Sequence, residues 1–476
     1  MTTILIAVFV FGYLGIALEH PLKIDKTATA LVLGMLLWVI YACNAAHFFG
    51  PESILPKESM EHFHQFIAEH PDLANEPLHK QALEYILDVN VVEHLGEIAQ
   101  TLFFLIGAMT IVELVDVHGG FKVITDHIVT RHKRTLLWII ALVTFFLSAI
   151  LDNLTTTIVM IMLLRKLVSD QHERWIYAAS IVLAANSGGA WSPIGDVTTI
   201  MLWVKGNVTV ASLFKYVLLP SVVSVVVPLL FISYQLKGEL PAIAEEKAID
   251  TTITSRERSV MFYLGVGGLI FVPIFKSLTH LPPFVGMLLV LGLLWVFTEM
   301  FYNKKMLEKA LEHRLPTVIS RIDMPSILFF LGILMAVAVL QSTGVLAWLA
   351  TELDSSVHNI FIIDTILGVL SSIVDNVPLV AAAMGMYPVV NETAVAAAAD
   401  PVYMANFVVD GHFWALLSYC AGVGGSVLII GSAAGVIAMG LEKISFGWYM
   451  KHISWLALLG YLCGAATYWL EMQILG

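Results

Sequence analysis

The chain has 476 residues, of which 58% are hydrophobic and 13% charged, with 37 acidic against 25 basic side chains and a formal net charge of −12. Its mean hydropathy is +0.84. Soluble domains are about half apolar and hold about twice this share of charge, so an ordinary soluble domain is excluded, and with no basic stripe in the sequence nucleic acid is excluded as a partner.

Apolar stretches of the ~20 residues that a helix needs to cross a bilayer recur from the first residue onward. They predict an all-α polytopic membrane protein in contact with lipid, with spans at 1–18, 28–49, 98–115, 175–204, 212–235, 259–276, 283–301, 325–342, 403–441 and 447–470. The predicted organisation is 1–49, N-terminal scaffold spans; 50–96, a polar insertion; 97–236, a first repeat; 237–258, a loop; 259–323, further scaffold spans and a loop; and 324–476, a second repeat.

The Lys/Arg distribution sets the orientation. Segment 50–96 carries nine acids and two lysines and is placed outside the cytoplasm. Arg131 to Arg134, Arg165-Lys166, and the loop holding Lys304, Lys305, Lys309, Arg314 and Arg321 are placed inside. Both termini then face the periplasmic side. Cys43, Cys420 and Cys463 lie in apolar sequence without metal-ligand spacing and read as small core residues.

Two further apolar pieces, 135–168 and 357–390, leave and return to the same side. Each carries a polar pair at its middle: SAILDNLTT (148–156) and SSIVDNVPL (371–379). A carboxylate at membrane depth costs at least a few kcal/mol, so such a residue marks a functional site by default. Both pieces are predicted as re-entrant hairpins with tips at mid-depth. Two ordinary spans joined by a polar surface loop is the alternative.

The segments flanking the hairpins repeat. LFFLIGAMTIVELVDVHGGF (102–121) resembles LFFLGILMAVAVLQSTGVL (328–346), and NSGGAWSPIGDVTTIM (186–201) pairs with GVGGSVLIIGSAAGVIAM (422–439). Gly188, Gly189, Pro193 and Gly195 in one half, and Gly422, Gly424, Gly425 and Gly431 in the other, are too many breakers for straight helices. The threading enters the first half from outside and the second from inside. The expected architecture is therefore two inverted repeats, each with a hairpin and a discontinuous helix, and a binding site at the midplane.

The intramembrane polar groups are Asp152, Asn153, Thr155, Asn186, Ser187, Asp196, Thr198 and Thr199 from the first half, and Asp375, Asn376, Ser426 and Ser432 from the second. They are hard oxygen donors, suited to a small hard cation. No Lys or Arg stands among them to hold an anion. Because burial disfavours the charged form of a carboxylate, such a group holds either a proton or a metal cation. Competition of that kind in a site open to one side at a time is sufficient for cation/proton antiport. The first half is expected to dominate, since Asp196 has Ser432 as its counterpart.

The doubled Asp-Asn hairpins, the SGGAWSPIGDVTT stretch and the order of the halves resemble the NhaD family of Na+/H+ antiporters, most clearly over 98–470. That resemblance implies a bacterial inner-membrane protein that exchanges Na+ or Li+ for H+ without a cofactor. It also implies an elevator-like motion and a homodimer. Sodium–dicarboxylate relatives carry Ser-Asn-Thr at the hairpin tips, whereas here the tips read Asp-Asn-Leu-Thr and Asp-Asn-Val-Pro. The competing expectations are a Na+-coupled organic-anion carrier and an intramembrane hydrolase. The second lacks any nucleophile–base pair or zinc helix in this sequence.

Overall fold

A computed structural model describes all residues except 18–22, 52, 122, 124–129, 241–253, 304–314, 374–375 and 476. Helices dominate, and no β-strand occurs among the described residues. In chain order they are α1 (Thr2–Ala17), α2 (Lys26–Cys43), α3 (Lys57–Glu69), α4 (Leu78–Tyr85), α5 (Val92–Val117), α6 (Lys133–Leu151), α7 (Asn153–Leu167), α8 (Gln171–Ala190), α9 (Val197–Val204), α10 (Val210–Tyr216) and α11 (Leu218–Gln235). There follow α12 (Ser255–Thr279), α13 (Pro283–Asn303), α14 (Met324–Ser342), α15 (Val345–Ser356), α16 (Ile360–Leu370), α17 (Asn376–Met386), α18 (His412–Gly424), α19 (Ala433–Glu442), α20 (Phe446–His452) and α21 (Ser454–Leu475).

Seven of these runs are long and apolar enough to cross a membrane among the described residues, and α20 with α21 forms an apolar pair bent by 52°, a broken span or a re-entrant loop. Lipid-facing surface accounts for exposed side chains such as Phe11, Val32, Leu142, Tyr263 and Leu293. The chain is thus a multi-pass membrane protein.

Several boundaries depart from expectation. The polar insertion is more helical than its sequence suggests. It contains α3, and a continuous helical run from Leu78 to Val117 absorbs its second half, with one π-helical segment at Ile86–Val91. α3 and α4 pair an apolar face with a polar one, so neither resembles a membrane span in composition. The stretch after α14 continues as α15, because Gly344 at φ +77° turns the chain where any side chain would meet the Ile54 carbonyl. Much of the 237–258 and 302–323 loops lies outside the described residues. Cys420 is a core residue as expected, but Cys43 is exposed.

The chain divides into two compact units. Unit 1 comprises Met1–Leu102, Asp323–Ile360 and Val377–Val390. Its centre is the pair α2 and α14, which touch backbone to backbone: a Cβ on Gly34 would stand 2.3 Å from the Gly332 carbonyl oxygen. Small residues allow that approach where lipid supplies no hydrophobic drive between helices. Trp38 Nε1 donates to the Met335 carbonyl at 3.0 Å and Tyr41 Oη to the Ser342 carbonyl at 3.3 Å. Asp25 starts α2 by accepting from the Thr27 backbone N–H at 2.7 Å.

Unit 2 comprises Phe103–Ile322, Phe361–Asn376 and Asn391–Gly476. α6 and α7 meet directly at Asp152, and α8 breaks at Trp191 before restarting as α9. In the same way α18 breaks at Gly425 and restarts as α19. The first arm, α6, has 19 residues and is long enough to span, so the first hairpin is less symmetric than expected.

Similar contacts recur in the two halves of the sequence. Ser148 Oγ donates to the Ala185 carbonyl at 2.6 Å, and Ser371 Oγ donates to the Ala421 carbonyl at 2.9 Å. A Cβ on Gly188 would stand 2.2 Å from the Phe145 carbonyl oxygen, and one on Gly424 would stand 2.0 Å from that of Gly368. Each pair occupies matching places in the two halves of the sequence. The glycines that break the helices also let each hairpin arm lie against its broken helix.

Candidate functional site: a carboxylate ringed by amides and hydroxyls

The site lies within unit 2 and is built at helix starts. Asp196 is the N-cap of α9, with its backbone extended at φ −147° and ψ 149°. Its Oδ1 accepts from the Thr198 backbone N–H at 3.0 Å and from Thr198 Oγ1 at 2.9 Å. Thr199 completes a capping box, accepting from the Asp196 backbone N–H at 3.3 Å. Ser432 caps α19 with nearly the same backbone, φ −147° and ψ 154°. The two caps are equivalent positions of the repeat, one acidic and one neutral.

Both hairpin tips send an asparagine to Asp196. Asn153 Nδ2 donates to Asp196 Oδ2 at 2.6 Å, and Asn376 Nδ2 reaches both carboxylate oxygens at 3.3 Å. Asn186, in α8, accepts from Asn153 at 3.2 Å through Oδ1. It donates through Nδ2 to Ser426 Oγ at 2.9 Å and Ser432 Oγ at 2.8 Å. Asp196, Asn153, Asn186, Asn376, Ser426, Ser432, Thr198 and Thr199 are all buried. Every side chain placed on the Asp196 carboxylate by these bonds is a donor, and each asparagine carries a carbonyl oxygen beside its amide nitrogen. The network can therefore offer a carboxylate, amide oxygens and hydroxyls to a small hard cation after local reorientation.

Three residues singled out from the sequence stand apart from this network. Asp152 is bonded to its own helix start. Its oxygens accept from Thr155 N at 2.7 Å and Thr155 Oγ1 at 2.9 Å, capping α7. Thr155 is thereby committed to Asp152. Asp152 holds φ +106° and ψ 159°, a conformation that non-glycine residues rarely adopt and that costs about 1–3 kcal/mol. Ser187 turns away from the network, because one residue further along a helix faces about 100° elsewhere. It accepts from Ser224 Oγ of α11 at 2.9 Å. Asp375 lies outside the described residues.

Two buried acids escaped the sequence reading, Asp364 and Glu442. Asp364, in the middle of α16, is completely buried. Its signal was available: a lone carboxylate inside the apolar run FIIDTILGVL.

At the far end of α19 the buried Glu442 carboxylate takes Arg165 Nε at 2.7 Å and Arg174 Nε at 2.8 Å. Its backbone carbonyl accepts from Trp175 Nε1 at 2.9 Å. This cluster fastens the end of α7 and the start of α8 to the end of α19, and its arginines are distant in sequence from the Asp196 network.

A family model described as citrate transporter matches residues 6–409. Sodium/proton antiporter 1 of Arabidopsis thaliana is 41% identical over 463 residues, which is 97% of this chain and 71% of that protein. Sodium/proton antiporter 2 of the same plant is 40% identical over 465 residues, 97% of both chains. The Na(+)/H(+) antiporter NhaD of Vibrio cholerae is 28% identical over 484 residues, 96% of this chain and 88% of that protein. With the model spanning most of the sequence and relatives aligned almost end to end, the chain belongs to the citrate transporter family and, within it, to the NhaD-type antiporters.

Proposed function

We propose that this protein exchanges Na+, and Li+ with it, for H+ by alternating access, with cation and proton competing for Asp196 and Asp152. It is a transporter and not an enzyme, and the ions are its cargo. The observation that carries the reading is the convergence of both hairpin-tip asparagines on one buried carboxylate, Asp196, with the second broken helix joined to the same network through Asn186. The names of the Arabidopsis and Vibrio relatives support the same ion pair.

The remaining assignments belong to the same reading. Asn153, Asn186, Asn376, Thr198, Thr199, Ser426 and Ser432 supply neutral oxygens, while Asp375 and Thr155 act at the tips. Segments 97–236 and 324–476 are inverted repeats, supported by their matched hydrogen bonds. The protein works as a homodimer in a bacterial inner membrane with both termini periplasmic, supported by the Lys/Arg distribution. The test is dequenching of a pH-sensitive dye in proteoliposomes on adding Na+, Li+ or K+. No response to Na+ or Li+ at any pH overturns the reading.

The family description favours one other reading, a Na+-coupled carrier of an organic anion. Sodium-dependent uptake of labelled citrate into the same vesicles would establish it.

A further inference from the structure

We propose that Asp364 is a second proton-carrying carboxyl group, separate from the Asp196 network. It sits on α16 with no exposed surface, and neither carboxylate oxygen meets a hydrogen-bond partner among the described residues. The neighbouring Thr365 Oγ1 is likewise buried and unpartnered among those residues. An ionised carboxylate in such a place bears a desolvation penalty of several kcal/mol with nothing to offset it. The neutral acid avoids that penalty.

The repeat shows that the hairpin fold does not require an acid here. Matching Ser371 to Ser148 places Asp364 opposite Ala141, which is equally buried in the first hairpin. Matching Ala421 to Ala185 places Cys420 opposite Ala184. The second half therefore carries a titratable pair where the first has two alanines.

The titratable groups that feel the charge of Asp364 are Cys420 of α18 and Tyr461 and Tyr468 of α21. Tyr461 Oη donates to the Thr365 carbonyl at 2.9 Å, and only a glycine at 368 leaves room for that hydroxyl. Tyr468 Oη donates to the His412 carbonyl at 3.1 Å and lies 3.3 Å from His412 Nδ1. Tyr468 also feels Tyr216 and Glu471. His412 is half-buried and its ring stands 5.2 Å from that of Tyr216, whose hydroxyl accepts from the exposed Lys215 at 2.7 Å.

The inference that this proton moves during transport rests on the exchange reading above; the presence of the proton does not. Infrared difference spectra of the full-length protein in liposomes, titrated through neutral pH, separate the two. A protonated-carboxyl band is expected in the wild type, absent from Asp364→Asn and displaced in Asp364→Glu. A band unchanged in both variants overturns the assignment. In the dye assay, Asp364→Asn is expected to move the alkaline limb of Na+-driven exchange by about one pH unit or more. A wild-type pH profile in Asp364→Asn overturns the transport role, whereas a wild type that exchanges nothing refutes the antiport reading and leaves the band to decide the proton.

Discussion

Asn153 donates to Asp196 Oδ2 at 2.6 Å, and that bond ties the tip of the first hairpin to the start of α9. Asn376 approaches the same carboxylate from the second hairpin. One acid therefore reports the position of both tips, and a change in its charge is felt by both.

Asp196→Asn is expected to abolish Na+-driven dequenching while leaving the protein folded, since an amide oxygen still caps α9. Asp196→Ala should also abolish exchange and should in addition lower stability. It loses a cap, worth about 0.5–2 kcal/mol, and strands the two asparagine amides, at about 1–3 kcal/mol each. Exchange at the wild-type rate by Asp196→Asn would falsify the central role of the carboxylate.

Asp152 separates function from folding. Glycine accepts φ +106° without strain, and as an N-cap it is only a few tenths of a kcal/mol worse than aspartate. Asp152→Gly is expected to be more stable than wild type by about 1 kcal/mol and inactive in exchange. A thermal-shift assay beside the dye assay reads both; a variant that loses stability and keeps activity contradicts the proposal.

Neighbouring positions on α8 should behave differently. Asn186→Ala removes the link from Asn153 to Ser426 and Ser432 and is expected to weaken the apparent Na+ affinity about tenfold, the equivalent of one charge-assisted hydrogen bond. Ser187→Ala loses only its contact with Ser224 and should leave that affinity within about twofold at a stability cost of about 1 kcal/mol. Equal effects in the two variants would show that position on the helix face does not matter.

The matched glycines can be tested against open ones. Gly188→Ala and Gly424→Ala would drive a methyl group into the Phe145 and Gly368 carbonyls, and each is expected to cost about 1–3 kcal/mol or more. Gly440→Ala and Gly267→Ala meet nothing within 4 Å and should be neutral or stabilising. Thermal midpoints in detergent rank the four.

Glu442 holds two arginines from α7 and α8. Glu442→Gln keeps the shape and loses the charge. It is expected to cost about 1–3 kcal/mol, because the exposed part of Arg165 remains solvated after its partner is neutralised. An unchanged midpoint would mean that the cluster contributes nothing to holding those helix ends.

What was legible in the sequence was whatever broke an apolar pattern. The Asp-Asn tips and the runs around Gly188-Gly189 and Gly424-Gly425 stand out because such residues are costly in a membrane helix, and they mark the hairpin tips and both helix breaks. What was not legible depended on direction or on context. Asn186 and Ser187 are adjacent and equally polar, yet only the first reaches the network. Asp152 lies beside Asn153, but its carboxylate is taken by its own helix start. Asp364 was overlooked because it sits within a regular helical arm, with no helix break beside it of the kind that marks the hairpin tips. The helical run from Leu78 was hidden by acids and histidines that give no membrane-like period.

The near-identical backbone at Asp196 and Ser432 has a consequence for charge. A helix start that a hydroxyl serves as well as a carboxylate keeps its shape whichever is present, so the charge held at the two starts can change at a single side chain.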